Sequence, residues 1–233
     1  MGDIAPGSKQ EHHGAGHRER LRRRLLDGGP EALLDHELIE YLLALAIPRR
    51  DTKPLAKQLL AEFGGIGGLL TADAEALKRV SGMGETSVAA IKIAQASALR
   101  LVKSQVANQP VLASWQALLD YLRADMAHMM VERVRVLHLN SRNMLIRDEN
   151  MGDGSVDQAA IYVREVIRRA IDLGSASLIL VHNHPSGDPA PSQQDILITR
   201  NIIDAGKKLG IAVHDHIIIG RQGHSSMRAM GLI

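Results

Sequence analysis

The stretch Ser177-Leu178-Ile179-Leu180-Val181-His182-Asn183-His184-Pro185-Ser186-Gly187-Asp188-Pro189-Ala190-Pro191-Ser192-Gln193-Gln194-Asp195 decides how this chain is read. Its opening apolar run has the length of a buried strand. Side chains two apart on a strand share a face, so His182 and His184 project together from the strand end. Pro185 cannot donate to a sheet ladder and ends the pairing. Ser192 then opens a helix, and Asp195, three residues in, can turn its carboxylate back towards the loop. Two imidazoles and one carboxylate are the usual protein ligands of a catalytic zinc, whose fourth position is left to water. Ser-x-x-Asp is also an ordinary helix cap, in which Ser192 accepts from backbone amides. The combination of cap, His-x-His and buried strand within one loop favours a metal site holding one zinc per chain.

Composition bounds the rest. The 233 residues are 45% hydrophobic, enough for a full core and for two modest domains. One Phe, one Trp and three Tyr leave an aliphatic core and exclude base recognition by rows of stacking aromatics. Cysteine is absent, so any zinc must sit on His, Asp or Glu. The first 30 residues contain no signal-like run, and the longest apolar stretch, 38–47, carries Glu40. The expectation is a cytoplasmic protein without a membrane segment. The net charge is only +2, but residues 1–25 hold six Lys and Arg against three Asp and Glu. Such a patch suits nucleic acid, or a solvated helix start.

Residues 1–17, rich in Gly and His, read as a mobile tail in which His12, His13 and His17 are incidental. Residues 18–107 read as an all-α domain. Apolar residues recur at three- and four-residue spacing over 18–26, 31–45, 52–63 and 73–80, and a long helix follows from Glu85. Glycine and proline separate these segments, notably across 64–68. After a linker at 105–110, residues 111–233 read as α/β (α+β). Strands are expected at 133–139, 144–147, 177–181 and 212–219, with helices at 114–126, at 161–173 and after the polar loop 183–191.

His182-x-His184-Pro185 and Ser192-x-x-Asp195, with seven residues between His184 and Ser192, resemble the JAMM (MPN-plus) metalloproteases. The fuller string from His182 to Asp195, with Asp215-His216-Ile217-Ile218-Ile219-Gly220, is similar to the RadC family of bacterial proteins over residues 18–233. That resemblance implies a cytidine-deaminase-like JAMM/MPN domain with zinc on His182, His184 and Asp195. It further implies Ser192 steadying a tetrahedral oxyanion and an upstream glutamate as general base. Two glutamates compete for that last role. Glu165 falls on the polar face of its helix, four residues before Arg169, where a solvated ion pair accounts for it. Glu132 opens a strand on the same face as Val134 and Val136. Burying a carboxylate there is costly without a purpose, so Glu132 is the choice. A second His-x-His, His214-Asp215-His216, has no carboxylate placed like Asp195 and reads as hydrogen-bonding support for the first site.

In the amino-terminal half, Leu77-Lys78-Arg79-Val80-Ser81-Gly82-Met83-Gly84-Glu85 resembles a helix-hairpin-helix element. Gly82 and Gly84 would let the backbone approach a phosphate, the following helix would aim its amides at it, and Lys78, Arg79 and Lys92 would add charge. Glu85 argues against that, and a plain packing turn is the other reading. Three functions stay open. The first is a zinc hydrolase attacking an amide or isopeptide bond of a protein or small molecule. The others are a DNA-binding accessory of repair or recombination, and a metal-dependent nuclease.

Overall fold

The computed structural model of the chain describes residues 11–107, 109–154 and 161–233, so the first ten residues of the tail expected over 1–17 lie outside the described residues. Two compact units divide between Ala96 and Ser97. In the first, α1 (Glu11–Gly28), α2 (Asp35–Ala46), α3 (Lys53–Glu62), α4 (Ile66–Thr71), α5 (Ala74–Arg79) and the start of α6 (Glu85–Ala107) follow one another. Ile39, Leu43, Leu55, Leu59, Leu69, Leu77 and Ile91 form the aliphatic core that the spacing calls for.

Three details of this unit differ from the sequence reading. Helix α1 already runs from Glu11, and His17, taken as incidental, meets the buried carboxylate of Glu40 at 2.8 Å. The segment read as continuous over 31–45 is broken, because Leu33 and Leu34 are extended ahead of α2. The glycines of 64–68 do not merely punctuate. Gly67 and Gly68 lie within α4, and a Cβ on Gly68 would sit 1.9 Å from the Phe63 carbonyl. Close approach of backbones requires glycine there.

The second unit is a five-stranded sheet: β1 (Arg133–Leu139), β2 (Leu145–Asp153), β3 (Ser177–Asn183), β4 (Ala212–Gly220) and β5 (Gly223–Ser226), in the order β2-β1-β3-β4-β5. Among the described residues only β3 and β4 pair in parallel; a parallel pair needs a long crossover. The helices are α7 (Trp115–Met126), α8 (Val163–Asp172) and α9 (Gln193–Lys207), with α9 joining β3 to β4. Alternation along the strands makes two cores. Leu137, Leu139, Ile179, Val181, Ile217 and Ile219 face α7. Val136, Leu178, Leu180 and Val213 face Val166, Ile167 and Ala170 of α8 and Ile202 of α9. The architecture is the expected α/β fold, with β2 longer than expected and β5 not foreseen.

Arg135 points to the α7 face yet is buried. Its guanidinium is held by Asp125, Asp148 and the Tyr121 hydroxyl, the pairing a buried charge needs.

Candidate metal centre

All seven residues of β3 are buried, and the strand is central, flanked by β1 and β4. Its even-numbered side chains continue the α8/α9 face, so His182 follows Leu178 and Leu180 onto that side. His184 lies one residue past the strand end, its backbone N–H bonded to the Ile219 carbonyl at 2.9 Å. The loop between is braced by Arg221, which donates to the carbonyls of Pro185 and Ser186. At the head of α9, Ser192 and Asp195 form a reciprocal cap. The Asp195 N–H donates to Ser192 Oγ at 3.1 Å, while the Ser192 N–H and hydroxyl both donate to Asp195 Oδ2 at 2.7 Å. The cap and the metal-ligand reading therefore coexist, because the cap fixes the direction in which the carboxylate points.

His182, His184 and Asp195 each offer an atom within 4.8 Å of the other two. His182 Nε2 lies 2.9 Å from His184 Nε2, and Asp195 oxygens lie 3.5 and 3.7 Å from the two nitrogens. On a tetrahedron with ligands ~2.0–2.1 Å from a zinc ion, ligand atoms stand about 3.3 Å apart. The observed separations bracket that value, so the residues fit the ion.

The surrounding hydrogen bonds fix the tautomers, with protons assigned from the network. His184 Nδ1 lies 2.8 Å from the Asp188 carbonyl and must donate to it. His182 Nδ1 lies 2.8 Å from His216 Nε2, and His216 Nδ1 lies 2.6 Å from Thr199 Oγ1. Thr199 in turn donates to the Asp195 carbonyl at 2.5 Å. Burial holds His216 well below its ordinary value, in keeping with a neutral ring. The one consistent direction runs His182 Nδ1–H to His216 Nε2, His216 Nδ1–H to Thr199 and Thr199 O–H to the backbone. Both Nε2 lone pairs are thereby turned inward, at 2.9 Å from each other. That arrangement calls for a cation or a shared proton between them. Burial opposes ionisation of Asp195, but its neighbours His182, His184 and Ser192 hold its carboxyl well below the usual carboxylate range. Asp195 in turn raises His184.

Glu132 is half-buried and lines the same cleft, about 790 Å³ in volume, as His182, His184, Ser192 and Asp195. Val134 is opposite His182 in the β1–β3 register, so stepping back two residues brings Glu132 towards His184 on the shared face. Its position is set by a residue that the sequence did not single out. Asn183 points away from the histidines, accepts from the Arg133 N–H at 2.9 Å and donates to the Val131 carbonyl at 3.1 Å. It thus pins the chain on both sides of Glu132. Glu165 stays on the surface, but its partner is Arg168 at 2.9 Å, while Arg169 pairs with Glu149 at 2.7 Å.

Of the second His-x-His, only His216 joins the site. His214 bonds Asn143 at 2.8 Å, and Asp215 is buried under Ser226 and the backbone of Arg228. In the hairpin, Gly82 adopts φ 96°, as its proposed turn requires, whereas Gly84 does not use the left-handed region and its N–H is taken by Ser87 Oγ at 2.9 Å. Lys78 pairs with Glu75 at 2.9 Å, and Arg79 is exposed. Lys92 is turned onto the Ala72 carbonyl and Gln95, which removes it from the expected basic set.

Comparison with known proteins agrees with this layout. Residues 112–232 match the family described as the RadC-like JAB domain, and residues 15–89 match the one described as UPF0758 N-terminal. The chain is 51% identical over 213 residues to a UPF0758 protein of Rhodobacter capsulatus, covering 91% of this chain and 100% of that one. It is 48% identical over 217 residues to a UPF0758 protein of Ruegeria pomeroyi, covering 93% and 97%. No helix among the described residues is long and apolar enough to cross a membrane.

Proposed function

We propose, from the premise that the chain belongs to the RadC-like JAB family, that it is a zinc-dependent hydrolase of amide bonds. His182, His184 and Asp195 would hold the ion. When bound, zinc supplies Lewis acidity, polarising a carbonyl and lowering the pKa of water from 15.7 to about 7. Glu132 accepts the proton of the attacking water and delivers it to the leaving amine. Ser192, exposed at the head of α9, would turn its hydroxyl from Asp195 Oδ2 to donate to the developing oxyanion. Asn183 keeps Glu132 in reach, and His216 keeps the His182 ring turned to the ion.

The observation that most supports this reading is the inward turn of both Nε2 lone pairs onto a carboxylate. Zinc titration of the metal-free chain, followed by elemental analysis, should give about one ion per chain, as a single three-ligand site implies. A folded chain that takes up no zinc would end the hydrolase reading. His216→Phe keeps the ring volume but removes the Nε2 acceptor. It should weaken zinc binding about 10–100-fold, read by calorimetry.

A second reading concerns the first unit, as a contact for the DNA backbone. What favours it is the guanidinium of the exposed Arg50 beside Gly82, where a Cβ would lie 2.7 Å from its nitrogen, together with exposed Arg79. Affinity for a duplex oligonucleotide, measured by fluorescence anisotropy between 50 and 200 mM salt, should then fall steeply, the log–log slope dropping by about 1 for each of Arg50 and Arg79 replaced by Ala. A flat salt dependence removes DNA from the account.

A further inference from the structure

We infer that the cleft selects an amide whose scissile carbonyl carries an apolar neighbouring side chain, with Leu197 as its specificity-determining contact. The inference rests on the hydrolase reading and narrows its substrate. Among the described residues lining the cleft, none is Lys or Arg, and the two carboxylates present, Glu132 and Asp195, already have their roles. A phosphodiester would bring a further negative charge to a lining without Lys or Arg, the adjacent Arg221 being turned onto the carbonyls of Pro185 and Ser186 and Arg164 onto the Tyr162 ring. A neutral amide brings none, so the lining favours amide over nuclease chemistry.

The remaining wall is apolar. Ile198, one turn beyond Asp195 on α9, is half-buried in the cleft, Leu197 beside it is 61% exposed, and Tyr162, which also lines the cleft, is 59% exposed. A single exposed leucine needs no explanation. Two large apolar side chains on the rim of a cleft that holds a metal-ligand set make a binding wall. Gln194, Leu197, Ile198 and Asn201 all line the cleft and recur at the spacing of one helix face. Amide side chains therefore flank the apolar pair, offering hydrogen bonds to a peptide backbone on either side of a buried apolar group.

Hydroxamic acids test this without turnover, because the hydroxamate binds zinc and the acyl group reports the wall. Binding of acetohydroxamic acid, benzyloxycarbonyl-leucine hydroxamic acid and succinic acid monohydroxamate to the zinc-loaded full chain would be measured by calorimetry. The leucine compound should bind about tenfold or more tightly than the acetyl one, the gain expected from filling an apolar pocket. The acidic compound should show no gain. Leu197→Asp should bring the leucine and acetyl compounds to near equality while zinc content stays unchanged. Equal affinities in the wild type, or a leucine gain that survives Leu197→Asp, would overturn the inference and leave the metal site standing. Failure of all three hydroxamates on a chain shown to carry zinc would instead overturn the hydrolase reading, and the inference with it.

Discussion

Glu132→Gln should keep its zinc and lose about two to four orders of magnitude in turnover, the usual contribution of a positioned general base. The substitution is nearly isosteric, and Glu132 is not one of the three convergent candidate ligands, so stoichiometry by elemental analysis should match the wild type. Turnover would be followed on a panel of fluorogenic peptide amides with both proteins zinc-loaded. Asn183→Ala should act in the same direction but less severely. It leaves the carboxylate in place while freeing the Arg133 N–H and the Val131 carbonyl that hold its strand end. A Glu132→Gln protein that hydrolyses the panel at the wild-type rate with zinc bound would remove Glu132 from the mechanism. Glu165, fixed to Arg168 on the outer face of α8, offers no replacement.

What could be read from the sequence follows the range of the interactions. His182, His184, Ser192 and Asp195 lie within one strand, one loop and one helix start, where two-residue alternation and the capping pattern are enough to bring the groups together. Glu132 was reachable because alternation on β1 assigns it to the face of Val134 and Val136. The supporting contacts were not reachable in the same way. Asn183 finds its partners 50 and 52 positions away, and His216 reaches His182 across 34. Only the β1–β3 and β3–β4 pairings bring these together, and a single sequence does not state them. The one available signal was polarity: an Asn between two His on a strand otherwise apolar must bury an amide, and a buried amide needs partners. Lys92 failed for a related reason. Its helical position permits an outward cation, but a carbonyl at the end of α4 and Gln95 take the ammonium instead.

Asp195→Ala should abolish stoichiometric zinc binding, and it separates the two duties of this carboxylate. As a candidate ligand it is the carboxylate among the three groups that converge, beside two imidazoles. As the N3 partner of the cap it receives the Ser192 N–H and hydroxyl, so its removal also costs about 0.3–1.5 kcal/mol of stability. Asp195→Asn divides these duties, since an amide oxygen can still accept from Ser192 but brings no charge to the metal. The expected order is wild type with about one zinc per chain, Asn with far weaker binding and a nearly normal melting temperature, and Ala with neither. The pH dependence has a definite sign. Asp195 raises His184 in the metal-free chain, and zinc requires that imidazole neutral. Zinc affinity should therefore fall as the pH drops towards and below the raised His184 value. In Asp195→Asn that onset should move to lower pH, because the charge that raises His184 is gone. Equal zinc content in the wild type and Asp195→Ala would show that the ion is held elsewhere, and the convergence of His182, His184 and Asp195 would then be a hydrogen-bonded helix cap and nothing more.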